Sequence, residues 1–319
     1  MSNYLKFSVT GIGSLPHENI EDAFDDILSS CANVPFLPQL LTVNKFENMT
    51  FQFLEKNIDE INKASDKIED YSISHCSALD IFENYLDKFQ PVYAKAQIIG
   101  PFTLSMILKD INNTPAYFDD DLKNMILKHL GYKGLWLGEK ISKKTVKPII
   151  FIDEPSLGMV GPYSDIKRDD VVDILKKHVK ILKSENIVTG IHCCGKCDWS
   201  IIIDSGADIL SFDAFTYSKD FAEHSDKINE FINRGGRICW GIIPVMSEEI
   251  LEHFTLDSAY IGFYLAVNYL LEKGLNKNDI FNASMLSTSC GMGNLSVELS
   301  KKAMLLTKDL SKKLKEIKI

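Results

Sequence analysis

Short apolar or β-branched runs alternate with longer amphipathic stretches along this chain, and that alternation constrains the fold more than any other feature. Eight runs stand out, at residues 7–13, 34–40, 92–100, 148–153, 188–194, 209–213, 237–243 and 285–290. Strand-length runs separated by helix-length segments are the pattern of parallel βα units. Residues 19–28 carry acidic side chains in the opening turns, where a helix dipole favours them. Residues 170–182 space Val171, Ile174, Leu175, His178 and Val179 along one helical face. Residues 295–314 read as a closing helix. Two stretches exceed what a bare βα unit needs. Residues 42–90, after the second run, read as several short helices; residues 112–147, after the third, read as a long helical connection. Both are elaborations able to cover or line a site.

Eight strands predict an α/β fold with a single (β/α)8 TIM barrel domain over residues 1–319, although periodicity leaves an open doubly wound sheet as the alternative. With 35 basic against 44 acidic residues the net charge is -9, which argues against a nucleic-acid-binding face. No apolar stretch is long enough to span a membrane, and the first nine residues lack the pattern of a secretory signal. An odd cysteine count, 7, with two adjoining at Cys193-Cys194, does not resemble a secreted disulfide framework and points to a reduced cytoplasm. Arginine is confined to Arg168, Arg234 and Arg237. A substrate with several carboxylates or phosphates is usually gripped by a set of bidentate arginines, which this chain cannot assemble.

In a barrel, function sits where strands end. The fifth run ends Gly190-Ile191-His192-Cys193-Cys194-Gly195, the sixth Ser211-Phe212-Asp213, the eighth Thr288-Ser289-Cys290-Gly291. Side chains two apart on a strand share a face, so His192 and Cys194 point together and Cys193 points away. His192, Cys194, Asp213 and Cys290 offer one imidazole, two thiolates and one carboxylate, a tetrahedral Zn2+ set with a position exchangeable for substrate. Each of these residues taken alone reads more readily as structural, and buried cysteine often behaves as a small hydrophobe. Cys197 is a further thiol beyond the strand, an alternative ligand or a free loop cysteine. Cys31, Cys76 and Cys239 show no partner spacing. The first run ends Thr10-Gly11-Ile12-Gly13-Ser14-Leu15-Pro16-His17, where glycines permit close backbone approach to a ligand or simply make a tight turn. The fourth ends Asp153-Glu154-Pro155, adjacent carboxylates suited to holding an amine or to acid/base work.

Those motifs, Thr10 to His17, Ile152-Asp153-Glu154-Pro155, His192-x-Cys194, Ser211-Phe212-Asp213 and Ser289-Cys290-Gly291, together resemble the catalytic domain of cobalamin-independent methionine synthase. That domain lies within the superfamily that includes uroporphyrinogen decarboxylase and the corrinoid-using zinc methyltransferases. The resemblance covers essentially the whole chain. It implies zinc on His192, Cys194 and Cys290, with a carboxylate at Asp213 where the family has glutamate. It also implies that Ile12, Gly13, Ser14 and Asp153 contact the amino-acid part of homocysteine. Two departures stand out. The family's tryptophan after the Gly-Pro-x-Thr turn is missing beyond Gly100-Pro101-Phe102-Thr103. A homocysteine-holding glutamate has no direct match, with Gln39 or Glu47 in its vicinity. Methyltetrahydrofolate is therefore a poor expectation as methyl donor, and methylcobalamin or a methylated corrinoid protein a better one.

Zinc lowers the pKa of a coordinated thiol, and the thiolate is the nucleophile. The expected activity is thus zinc-dependent methylation of a small-molecule thiol, homocysteine or a relative. Three competitors stand beside it. A uroporphyrinogen-type decarboxylase needs cationic contacts that three arginines, none near the first run, do not supply. A zinc hydrolase of the amidohydrolase kind carries His-x-His, which is absent. A zinc-holding barrel that only binds a corrinoid protein is the third.

Overall fold

The computed structural model describes residues 3–54, 65, 67–142 and 146–317. Residues 55–64 and 66 of the first expected elaboration, and 143–145 of the second, lie outside the described residues. Six parallel strands form one sheet in sequence order: β1 Tyr93–Ile99, β2 Lys147–Asp153, β3 Val188–Cys193, β4 Ile209–Phe212, β5 Arg237–Ile243 and β6 Ser284–Thr288. Every neighbouring pair runs parallel. Parallel neighbours in sequence order demand a crossover between each pair, and helices such as Asp120–Ile141, Arg168–Lys183 and Leu256–Glu272 supply it. β1, β4, β5 and β6 are buried at every position. Strands covered on both faces read as continuous apolar runs, which is why these six were legible in the sequence.

The period of two sorts each strand onto two cores. Ala94, Ala96 and Ile98, Ile150 and Ile152, Leu210 and Phe212, and Ile238, Trp240 and Ile242 join the large core shared with the helices. Tyr93, Ile149, Phe151, Ile209, Cys239 and Met285 point the other way and pack with Leu5, Ile12 and Val34 in a separate cluster. That second cluster is the floor on which the site rests. The helix layer is drawn in tightly where helix Asp120–Ile141 meets helix Arg168–Lys183. Side chains on Gly134 and Gly138 would press within 2.6 Å of Leu182 and 2.3 Å of Ile187.

The first two expected strands, residues 7–13 and 34–40, do not form regular strands. They touch the sheet through isolated parallel bridges, Val9 to Leu286 on β6, Ser14 to Gln39 between the two runs, and Phe36 to Lys95 on β1. Backbone hydrogen bonds follow the same path, among them Thr10 N to Leu286 O and Lys95 N to Pro35 O. The physical reason lies in the residues. Pro35 and Pro38 have no N–H to give a ladder, and Phe7 and Gly13 sit at positive φ, 50° and 136°. Helix Ile20–Cys31 follows, capped by Asn19, whose side chain accepts from Asp22 N. The first elaboration contains the short helical turns Lys45–Glu47, Phe51–Leu54 and Ile68–Tyr71 and the helix Leu79–Phe89. Among the described residues, no helix is long and apolar enough to cross a membrane.

Candidate metal and substrate site

The strand register brings chemistry to one level. Asp153, the last residue of β2, pairs with His192 of β3, and His192 pairs with Ser211 of β4. Just beyond β3 and β6 come Cys194 and Cys290. One ligand atom from each of His192, Cys194 and Cys290 lies within 4.8 Å of the others, a grouping suited to a metal ion. A cavity of about 370 Å³ opens above them, lined by Ile12, Ser14, Gln39, Asp153, His192, Cys194 and Cys290 together with Leu41, Asn48, Met49, Pro155, Met246, Gly291, Gly293 and Asn294. A larger groove of about 520 Å³ runs along the helix layer beside Leu127, Tyr132 and Ile181. It gathers no comparable donors, so the smaller cavity is where chemistry is concentrated.

The donor set fits a soft dication. His192 is buried, and its Nδ1 lies 3.0 Å from Ser211 Oγ. The tautomer with the proton on Nδ1 then leaves the Nε2 lone pair facing the site. Nε2 is buried with no hydrogen-bond partner, an unusual expense for a native structure unless something binds there. Contact with the Cys290 thiol, and after it the nearby His192 ring, pulls the Cys194 thiol down to about 4. The same contact, followed by burial, pushes Cys290 far up. The two thiols thus give up their first proton easily and the second with difficulty, and a cation between them removes that conflict. Two sulfurs and one imidazole nitrogen are the ligand types that zinc favours.

Asp153 faces the same cavity and is 6% exposed, its Oδ1 without a partner. Burial pushes it up to about 6, against the pull of His192 and Lys95. Lys95 is a buried lysine of the floor, its Nζ 2.5 Å from Gln97 Oε1 and 4.6 Å from the centre of the Phe151 ring. Burial lowers it to about 8. Gln97 in turn lies against Gly13, where a Cβ would fall 1.6 Å from Gln97 Nε2. The loop at Ser14 is tied to the far end of the chain by Met292 N to Ser14 O, 2.8 Å, and Gly293 N to Ser14 Oγ, 3.2 Å.

Several residues singled out in the sequence occupy different stations. Ile12, Ser14, Gln39 and Asp153 line the cavity, and Gly13 sits behind it against Gln97. Glu154 does not line it. Its carboxylate is fully buried and accepts from Phe102 N, 3.0 Å, Thr103 N, 2.7 Å, and Thr103 Oγ1, 2.6 Å, at the start of helix Pro101–Ile107. Asp213 lies close enough to Cys194 and His192 to feel their charge, while its Oδ1 accepts from Thr216 N, 3.0 Å, as the cap of helix Ala214–Ala222. Glu47 is spent on Leu40 N, 2.7 Å, and Ser77 N, 2.5 Å. The Cys197 thiol contacts Cys193, on the outward side of β3, rather than joining the cluster of three. Arg168 binds Asp198 and Asp204, Arg234 the carbonyl of Ile203, and Arg237 that of Asn282. Gln52, Asn48 and Met246 carried no motif, and Ser211 stood in the Ser211-Phe212-Asp213 run with no role of its own. Lys95 did carry a signal, as a lone charge inside an apolar run.

No protein-family model matches the sequence, and no curated protein matches it. Among solved structures, a B12-independent methionine synthase from Shewanella sp. W3-18-1, in complex with selenomethionine, aligns at TM-score 0.52 and 16% identity. The alignment covers 75% of this chain and 66% of that one, so the chain spans just under two thirds of that protein's length. A Listeria monocytogenes protein provisionally assigned as a vitamin-B12 independent methionine synthase aligns at TM-score 0.47 and 13% identity, over 74% of this chain and 69% of that one. A 3-keto-L-gulonate-6-phosphate decarboxylase from Vibrio cholerae O1 biovar El Tor aligns at TM-score 0.39 and 9% identity, over 97% of this chain and 99% of that one. The first of these likenesses shows a shared fold.

Proposed function

We propose that this chain is a zinc-dependent methyltransferase acting on a small thiol, homocysteine or a relative, within one (β/α)8 barrel domain spanning residues 1–319. In that reading residues 7–13 and 34–40, which form no regular strand, would take the places of the first two strands, linked to β6 and β1 only by isolated bridges. The observation that carries the functional reading is the convergence of His192, Cys194 and Cys290 within 4.8 Å beneath a cavity. The fold shared with a B12-independent methionine synthase supports it.

His192, Cys194 and Cys290 would hold the ion, with the Asp213 carboxylate beside them. What zinc supplies when bound there is Lewis acidity, which keeps a coordinated thiol ionised near neutral pH. The chain's own residues do the rest. Ser211 fixes the His192 ring so that Nε2 faces the cavity. Asp153, buried and with a free oxygen, accepts from a donor group of the substrate. Ser14, pinned by Met292 and Gly293, shapes the wall beside it. Glu154 sets the distance between β2 and the start of helix Pro101–Ile107, and so the position of Asp153 next to it. Among the described residues, no aromatic side chain lines the cavity, which leaves a pterin nothing to stack on and favours methylcobalamin or a methylated corrinoid protein as donor. All 7 cysteines are free thiols, a state suited to a reducing cytoplasm.

The test is metal content of protein purified under reduction. About one tightly held zinc per chain is expected, lost in His192→Ala and Cys290→Ala while circular dichroism stays native. Wild-type protein that takes up no zinc on reconstitution would overturn the proposal.

A further inference from the structure

Arginine is scarce in this chain, and one of its few side chains stands behind a proposed metal ligand. β3 ends at Cys193, which with Phe212 makes the last pair between β3 and β4. His192 is held in the ladder from both sides, by Asp153 on β2 and Ser211 on β4. Cys194 lies past the ladder, so its place depends on the chain that follows. The segment Cys194-Gly195-Lys196-Cys197 leads directly to Asp198. Asp198 is the knot of a small network. Its Oδ2 accepts from Arg168 Nε at 3.1 Å. Its Oδ1 accepts from Ser200 N at 3.0 Å and from Ser200 Oγ at 2.5 Å, with His224 Nδ1 3.5 Å away. A second nitrogen of the same arginine donates to Ser200 Oγ, 2.8 Å, and to Asp204 Oδ2, 2.5 Å. Arg168 opens helix Arg168–Lys183, while Ser200 and Asp204 open and close the short helix Ser200–Asp204. Trp199, buried against Phe212, Tyr217 and Phe221, anchors the residue between. One planar guanidinium thus ties the end of the Cys194 segment to the helix layer in a fixed direction, a geometry that the point charge of a lysine does not copy.

For stability this network should matter little. The side chains of Arg168, Asp198 and Asp204 are 36%, 33% and 23% exposed, and ion pairs in such positions contribute little to folding. A metal site is less tolerant. Its donors must be held to within about half an ångström, and a thiol on a loop depends on whatever holds the loop. We infer that Arg168 is a positioning residue for the metal site: through Asp198 it sets the place of the Cys194 thiol, and so sets metal affinity without touching the ion. This rests on the metal-binding reading above and adds to it a controlling residue that does not line the cavity.

The test is competition between a chelator and the full chain for zinc, with cobalt(II) as a second probe whose visible bands report the geometry around the ion. Arg168→Met should weaken zinc about tenfold, the low end for outer contacts of a metal ligand, and shift the cobalt bands. The unfolding midpoint of the metal-free variant should stay close to the wild type's. Arg168→Lys keeps the charge, loses the fork and should not restore the affinity. Asp198→Ala should weaken zinc as much as Arg168→Met. The double variant should weaken it no further than Asp198→Ala alone, since both changes remove one contact. Unchanged zinc affinity in Arg168→Met, full rescue by lysine, or additive losses in the double variant overturns the inference. So does a loss of zinc matched by an equal loss of stability in the metal-free chain, which would make Arg168 a residue of the fold alone. If the wild type takes up neither zinc nor cobalt, the zinc reading falls and the clamp is judged on Cys194 itself. Alkylation of Cys194 by iodoacetamide, located by peptide mass spectrometry, should then run severalfold faster in Arg168→Met. An equal rate overturns the clamp as well.

Discussion

The side of the cavity proposed to hold metal and the side proposed to meet substrate are built by opposite means. His192 rides on β3, and Cys194 and Cys290 follow within two residues of the ends of β3 and β6, in a parallel sheet whose β5–β6 ladder shifts register between Gly241 and Ile243. Ile12, Ser14, Gln39, Asn48 and Met49 come from residues 7–54, where the chain meets the sheet only at isolated bridges. A ladder fixes neighbouring backbones by hydrogen bonds at every second residue, which suits donors that must converge on one ion. Irregular chain gives up that regularity and can follow the outline of a substrate, provided specific side chains pin it. Here the pins are Glu47, which holds Leu40 N and Ser77 N, and Gln52, which donates to the His75 carbonyl and accepts from Gln39 Nε2.

If the two sides are independent, a lesion in one should spare the other. The largest effect on stability is expected from Gly13→Ala. Its φ of 136° is one that L-residues rarely adopt, and the new Cβ would fall 1.6 Å from Gln97 Nε2. A loss of about 3 kcal/mol in denaturant unfolding is expected, from backbone strain together with displacement of a buried amide. The surviving folded protein should still bind zinc stoichiometrically. Loss of zinc at native fold content would mean that the irregular segment also positions the metal donors.

On the ladder side the sharpest probe is acid. His178, fully buried in helix Arg168–Lys183, is pushed down to about 4 from 6.5 by burial. Between those values the unfolded chain takes a proton that the folded chain refuses. Stability contributed by the neutral ring is therefore present above pH 6.5 and is lost progressively down to about pH 4. The change amounts to about 3 kcal/mol. His178→Leu should flatten the pH dependence of the unfolding midpoint across that window. A profile as steep as the wild type's would assign the acid sensitivity to other groups.

Ser211→Ala should act next, on metal rather than on fold. Removing the oxygen 3.0 Å from His192 Nδ1 frees the ring and should weaken zinc roughly tenfold to a hundredfold, read by competition with a chelator. Unaltered affinity would mean that the ladder alone orients His192.

The same division explains what could be read in advance. β1 to β6 were legible to within a residue or two because doubly covered strands spell out apolar runs. The first two runs were equally apolar, yet Pro35, Pro38 and the positive-φ residues Phe7 and Gly13 deny them a regular ladder. Those prolines were visible in the sequence and were outweighed by the apolar pattern around them. His192, Cys194 and Cys290 stood out because thiols and imidazole are rare at strand ends. Glu154 read as a partner of Asp153 because they adjoin, but its ligands Phe102 and Thr103 lie 52 and 51 residues away and only folding reveals them. Gln52, and the contact of Ser211 with His192, were invisible for the same reason, since a hydrogen bond between distant residues leaves no local mark.

The smallest effect asks how firmly the irregular side is joined to the rest. Asn19 caps helix Ile20–Cys31 by accepting from Asp22 N at 3.0 Å, and Thr255 caps helix Leu256–Glu272 by accepting from Ser258 N at 3.1 Å. Removing either cap with alanine should cost its helix about 1 kcal/mol. Thr255→Ala should appear in full in the global unfolding midpoint, because its helix packs on the ladder core. Helix Ile20–Cys31 follows the irregular run and packs against the closing helix Val297–Lys315, with Asp26 bonded to Lys301 at 2.8 Å. If that docking makes it part of one cooperative unit, Asn19→Ala shifts the midpoint as much as Thr255→Ala. If the irregular side opens by itself, the midpoint barely moves and hydrogen exchange quickens in residues 20–31 alone. The second result would place the Gln39 wall on a segment that opens separately from the metal site, so that substrate affinity and zinc affinity would respond differently to temperature.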